Sequence, residues 1–147
     1  AVHSDRGDGT VLLDQLLALD HRLLALACDD AHFEADDAFG AWVMVKAEAR
    51  EPEALLAALK AGHYYSSTGA EIHGLHLDGD ELVVECSPAH GVYLQGKGSR
   101  NTQVLGEGLT RVRLPAHKLG KAGYMRVTVV DAQGRRAWSN PFWRGDA

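Results

Sequence analysis

The sequence predicts a mostly β chain in two parts, an α/β opening segment followed by a small antiparallel β-sandwich. Three observations carry this expectation. Helix-like and strand-like apolar patterns alternate over residues 10–62. Past residue 67, short runs of alternating apolar and polar residues are separated by turns rich in Gly and Pro. Two of those runs flank Asp78-Gly79-Asp80, a hairpin signal. The expected boundary lies near Ser67-Thr68-Gly69, which gives an opening part over residues 1–66 and a sandwich over residues 67–147.

Each element has a local reason. Thr10 is placed to cap a helix starting at Val11, and Leu12, Leu13, Leu16, Leu17 and Leu19 then mark one apolar face. The unbroken apolar run over residues 23–28 reads as a buried strand. An acidic loop over residues 29–40 leads to a second strand over residues 41–46. A second helix is expected over residues 53–61, with Pro52 in its first turn, where a missing N–H costs little, and Gly62 as its C-terminal cap. Residues 72–77 and 81–86 form the hairpin arms, and residues 91–95, 109–114 and 124–131 are further strands. Asp131-Ala132-Gln133-Gly134 turns the chain into a last strand over residues 135–139.

The chain has 147 residues, enough for one domain with a sizeable core, and its 24% charged and 46% apolar composition is that of a globular protein. A net charge of −5 argues against a nucleic-acid partner, which would select a basic surface. Arg111, Arg113, Lys118, Lys121, Arg126, Arg135 and Arg136 alternate with apolar residues, as on the solvated face of a sheet. No apolar stretch approaches the roughly 18 residues that span a bilayer, so no membrane partner is expected. Cys28 and Cys86 both sit in apolar runs and read as buried free thiols, which together with the lack of a signal peptide points to the cytoplasm.

The chemistry-bearing motif is Asp29-Asp30-Ala31-His32. An Asp and a His two residues apart at a strand end can aim a carboxylate and an imidazole into one cleft, as metal ligands are presented at a barrel rim. The same pattern also fits a loop in which an Asp caps a turn. Asp36 and Asp37 follow closely, as outer partners of a ligand histidine or as solvated charges. His73 and His76 are three apart on a strand and face opposite sides, so they do not share a metal. His63 follows the cap of the second helix, where a cation is favoured, and His90 and His117 lie in loops. The glycine pairs at Gly96 and Gly98 and at Gly106 and Gly108 do not stand between a strand and a helix, so they are no phosphate cradle.

Taken in order, these stretches resemble the C-terminal part of PHP-domain proteins, the polymerase-and-histidinol-phosphatase family of metal-dependent phosphoesterases. The matching segments are Asp29-Asp30-Ala31-His32, residues 40–47, residues 54–62 followed by Tyr64-Tyr65-Ser66-Ser67-Thr68-Gly69, and residues 126–131 running to Arg136-Ala137-Trp138-Ser139-Asn140-Pro141. The resemblance implies the last βα units of a distorted (β/α)7 barrel followed by an appended β-rich domain. It implies that Asp30 and His32 are the last ligand pair of a cluster of divalent metal ions (manganese, zinc or iron), with Asp29 a neighbour. The family's opening His-x-His and its middle Glu and His ligands would lie upstream of Ala1. The implied activity is hydrolysis of a small phosphoester by metal-activated water, and an isolated chain with two ligands is expected to be inactive, with or without a bound metal. The alternative is a non-catalytic β-sandwich that binds a ligand or a protein. Exposed barrel edges also predict self-association or pairing with a missing barrel segment.

Overall fold

A computed structural model describes residues 7–32, 38–120 and 123–143. The chain is mostly β. Helix α1 (Thr10–Ala18) is followed by β1 (Trp42–Val45), α2 (Pro52–Ala61) and β2 (Tyr64–Ser67). Strands β3 (Ile72–Asp78), β4 (Glu81–Gly96), β5 (Asn101–Pro115), β6 (Tyr124–Val130), β7 (Arg136–Ser139) and β8 (Phe142–Trp143) follow, with a 3-10 turn, Ala116–Leu119, after β5.

Among the described residues all eight strands belong to one sheet, in the order β1-β2-β7-β6-β4-β3, with β5 also on β4 and β8 on β6. Strand β4 is the spine. Its first half pairs with β3 and its second half with β6, while β5 runs along it on the other side. The β4–β5 register shifts between Glu85, Ala89 and Gly91, around the exposed Pro88, which has no N–H to give to a ladder. The sheet curls there, and its two lobes share one core. Leu82, Val84, Val92, Leu94, Val112, Leu114, Val127 and Val129 fill it, closed at one end by Leu119 of the 3-10 turn. Gly96 is required at that end, because a Cβ there would lie 2.9 Å from the Leu119 side chain and 3.1 Å from the Tyr124 carbonyl oxygen.

The expected organisation is corrected in four places. The sandwich is one bent sheet rather than two packed sheets, since β4 and β5 run unbroken through Ser87-Pro88 and through Gly106 and Gly108. The proposed boundary between residues 66 and 67 falls inside β2, so the sheet spans both expected parts. Every ladder among the described residues is antiparallel, whereas the last βα units of a barrel would pair in parallel. Residues 23–28 form no strand, because the nearby β2 has both edges taken, by β1 and by β7.

The helices also differ in detail from expectation. Helix α1 begins at Thr10 with Gly9 as its N-cap, and Thr10 turns to Asp8, whose Oδ1 accepts from the Thr10 N–H at 2.9 Å and from its hydroxyl at 2.6 Å. Of the expected apolar face only Leu17 is buried, while Leu12 and Leu19 stand in solvent. Helix α2 follows its signals closely: Pro52 opens it, and Gly62 closes it in the left-handed conformation at φ 76°.

The β6–β7 turn is organised by the buried Asp131 carboxylate. Its Oδ1 accepts from the backbone N–H groups of Gln133 and Arg135, both at 2.9 Å, and its Oδ2 accepts from Arg135 Nε at 2.6 Å. Burial pushes the carboxyl pKa up, but the Arg135 side chain and the two backbone donors outweigh it and hold the group below its ordinary value. A depressed folded pKa stabilises the protein above the unfolded value of roughly 3.9, and that contribution is lost as pH falls through the lower folded value. Asp131→Asn is therefore expected to cost about 1–2 kcal/mol in urea unfolding at neutral pH. It should also flatten the acid limb of the stability profile below about pH 4. An unchanged acid limb in the variant would contradict this account.

Candidate functional site

One face of the sheet is turned away from the core, and the N-terminal segment crosses it. In the middle of β6 that face presents Arg126, a full charge with a side chain only 3% exposed. An uncompensated charge there would cost several kcal/mol, so its partners decide the local structure. Asp14 of α1 supplies them: its Oδ1 accepts from Arg126 Nε at 2.7 Å and its Oδ2 from Nη2 at 2.6 Å, the two-pronged geometry natural to a guanidinium and a carboxylate. Arg126 Nη1 donates to Gln95 Oε1 at 2.9 Å and to Thr128 Oγ1 at 3.1 Å, and the Thr128 hydroxyl donates to Gln95 Oε1 at 2.8 Å. Tyr124 donates its hydroxyl to Asp14 Oδ1 at 2.9 Å. Burial first, then the Asp14 carboxylate, push the Tyr124 phenol far above its ordinary pKa, so it stays a donor.

The segment after α1 is pinned at three more points. Arg22 stacks over the Trp143 ring at 4.4 Å. Ala25 gives its N–H to Asn140 Oδ1 at 3.2 Å and receives the Ser66 hydroxyl on its carbonyl at 3.4 Å. The same Asn140 amide donates to the Gly62 and Tyr64 carbonyls, both at 3.1 Å, joining this segment to the end of α2 and the start of β2. Residues 23–28 are thus held at Ala25 by side chains where strand neighbours would otherwise hold them.

This segment carries the predicted ligand pair. Asp30 adopts the left-handed conformation at φ 56°, which Asp tolerates better than most residues, and its side chain is exposed on the wall of a cleft of about 690 Å³. His32 is exposed and is not part of that wall. Asp29 has a structural role: its Oδ2 accepts the Phe39 N–H. Asp36 and Asp37 lie outside the described residues. Among the described residues no three His, Cys, Asp or Glu side chains are grouped to hold a metal ion. Asp30 and His32 have the donor chemistry for a divalent metal but are two where a stable site needs more.

Other expectations are corrected here. Cys86 is buried, and burial raises its pKa, whereas Cys28 is exposed because residues 23–28 lack the cover of a sheet. Arg126 is no solvated sheet charge; the alternation that suggested one is real, but Arg126 is buried and bonded to Asp14 of α1. His73 and His76 are both exposed, and His73 Nε2 lies 2.8 Å from Glu71 Oε2. His63 is exposed beyond the α2 cap and carries backbone bonds to Ala58 and Lys46.

The sequence reading also missed a cleft that no local motif marks. Tyr93 and Gln95 of β4, Arg126, Thr128 and Val130 of β6, and Arg136 and Trp138 of β7 line a space of about 290 Å³ with Thr10 of α1. The ladder register assembles it, setting Gln95 opposite Arg126, and Thr128 between Tyr93 and Trp138. It adjoins the wider cleft that Asp30 borders, sharing Thr10, Arg126, Arg136 and Trp138.

Compared with protein-family models, curated proteins and solved structures, the chain matches none. No helix among the described residues is long and apolar enough to cross a membrane.

Asp14→Ala leaves the Arg126 guanidinium short of two bonds. Because Asp14 is itself 35% exposed, the expected loss is about 2–3 kcal/mol in urea unfolding rather than that of a fully buried pair. The double variant Asp14→Leu with Arg126→Met should recover part of it. A loss indistinguishable from zero in the single variant would show that α1 is not held by this pair.

Proposed function

We propose that this chain is the C-terminal portion of a PHP-type metal-dependent phosphoesterase, in which Asp30 and His32 are two ligands of a metal centre completed by residues outside this sequence. The barrel-derived portion is then narrower than the resemblance implied. It comprises α1 and the extended segment over residues 23–32, while β1 onward belongs to the antiparallel sheet.

The observation that carries the reading is uneven cover. Eleven of the twelve exposed large apolar side chains among the described residues fall between Val11 and Leu56, and only Leu105 lies beyond. Leu12 is 60% exposed, Leu19 71% and Leu26 63%, whereas residues 82–94 and 125–129 close a dry core. Exposed apolar side chains gathered in one stretch of the chain fit a segment that other protein covers. Residues 23–28, without a strand partner in the sheet, are the edge that a neighbouring barrel strand would pair with. The resemblance names that neighbour, the upstream part of the same barrel.

When bound, a divalent metal supplies a hydroxide nucleophile at neutral pH and a positive charge for the phosphoryl oxygens. This chain's own part is to present the Asp30 carboxylate and the His32 imidazole from a segment fixed at Ala25. The test uses the gene's full product. Its hydrolysis of bis(p-nitrophenyl) phosphate with added manganese should fall about 100-fold or more in Asp30→Asn and in His32→Ala, more than loss of an outer partner costs. The 147-residue chain alone should show no turnover. Turnover by that chain alone, or a full product without an upstream His-x-His, would overturn the reading.

The second reading, a ligand-binding module without chemistry, is favoured by the cleft on the β4–β6–β7 face, which is complete within this chain.

A further inference from the structure

We propose that the cleft formed by Thr10, Tyr93, Gln95, Thr128, Arg136 and Trp138 around Arg126 binds the phosphate group of a small polar phosphate monoester. The inference needs neither the metal centre nor the upstream barrel.

The first argument is the balance of donors and acceptors. The Gln95 and Thr128 oxygens are occupied by the Arg126 network. The Gln95 amide N–H groups, the Trp138 indole N–H and the Arg136 guanidinium have no hydrogen-bond partner among the described residues. The uncommitted capacity of the cleft is thus mostly donor, which suits a ligand made of acceptor oxygens.

The second argument is charge. Two guanidinium groups line the cleft and no carboxylate does. Asp14 stands behind Arg126 with its oxygens occupied by Arg126 and Tyr124. Asp8 borders the wider cleft, where it feels Arg136, but its Oδ1 is engaged by both Thr10 bonds. Arg136 is therefore the charge still available to an anion, and its side chain is exposed to receive one.

The third argument is preorganisation and size. Arg126 is fixed by bonds to Asp14, Gln95 and Thr128, so a ligand need not order it. A volume of about 290 Å³ lies at the low end of the roughly 300–1,000 Å³ of small-molecule sites. It exceeds what a bare phosphate fills, and the Tyr93 and Trp138 rings wall the remainder.

The experiment follows the Trp138 indole N–H resonance, assigned with Trp138→Phe, while the chain is titrated with inorganic phosphate, glucose 6-phosphate or glucose. EDTA is present and ionic strength is held constant. Both phosphates should shift the resonance saturably, glucose 6-phosphate more tightly, and glucose should not. Arg136→Gln should weaken both by about tenfold or more. It removes only an exposed side chain, because the Arg136 backbone keeps its bonds to Thr68. Asp30→Asn should leave binding unchanged. Glucose binding as tightly as its phosphate, an Arg136→Gln variant equal to the parent, loss of binding in Asp30→Asn, or no saturation by either phosphate would each overturn the proposal.

Discussion

A charge buried in the middle of a strand constrains everything on one side of this molecule. Arg126 cannot reach solvent from β6, and Gln95 and Thr128 satisfy only one of its nitrogens. The carboxylate it needs arrives from 112 positions away in the chain, on the first helix. Docking of α1 is therefore an electrostatic event as much as a hydrophobic one, and Leu17 is the only residue of the helix that is fully buried. The gain over an apolar pair of the same shape need not be large, since both ions lose hydration. What the pair supplies is register. A helix that slid by one residue would present Leu13 or Gln15 to the guanidinium and leave a buried cation without its counter-ion.

That constraint divides the structure into two regimes of stability. The curled sheet closes its own core and draws on it for its stability. The N-terminal segment is held by a few directed bonds, at Asp14, Arg22 and Ala25, with many of its leucines left in solvent. Directed bonds with little apolar burial describe a region that opens at a lower free energy than the sheet beneath it. Hydrogen exchange should rank the two in that order, and the ranking follows from the bonding pattern alone.

The parts of the fold legible in the sequence were those with local causes. Pro52 and Gly62 delimit α2 because missing donors and left-handed backbone are properties of single residues. Asp131 to Gly134 turns because a carboxylate reaches the N–H two residues on. Where sequence patterns misled, a distant segment had changed the environment. Tyr124, Arg126 and Thr128 alternate as a solvated face would, yet all three are buried, with Asp14 of α1 bonded to Tyr124 and Arg126. Residues 23–28 are apolar enough for a strand, but strand formation needs a free ladder and β2 has none to offer. Residues 101–108, polar and broken by glycine, form a strand because β4 runs beside them. For the candidate site, Asp30 and His32 are neighbours in sequence and could be marked, whereas the β4–β6–β7 cleft comes from pairings such as Tyr93 with Thr128, about 35 positions apart, and has no local sign.

The two candidate sites are linked by the same docked segment. Thr10 lines the cleft only while α1 lies on the sheet, and α1 lies there because Asp14 meets Arg126. Residues 29–32 follow a segment that Asn140 and Ser66 hold at Ala25. Opening the segment would dismantle both sites at once and return Arg126 to an unpaired state. A ligand that bridged Arg136 and the donors near Arg126 would be bound only by the closed form. By linkage it would then favour the closed form in proportion to its own binding free energy. Occupancy of the cleft would therefore steady the segment that presents Asp30 and His32, although the ligand touches neither of them.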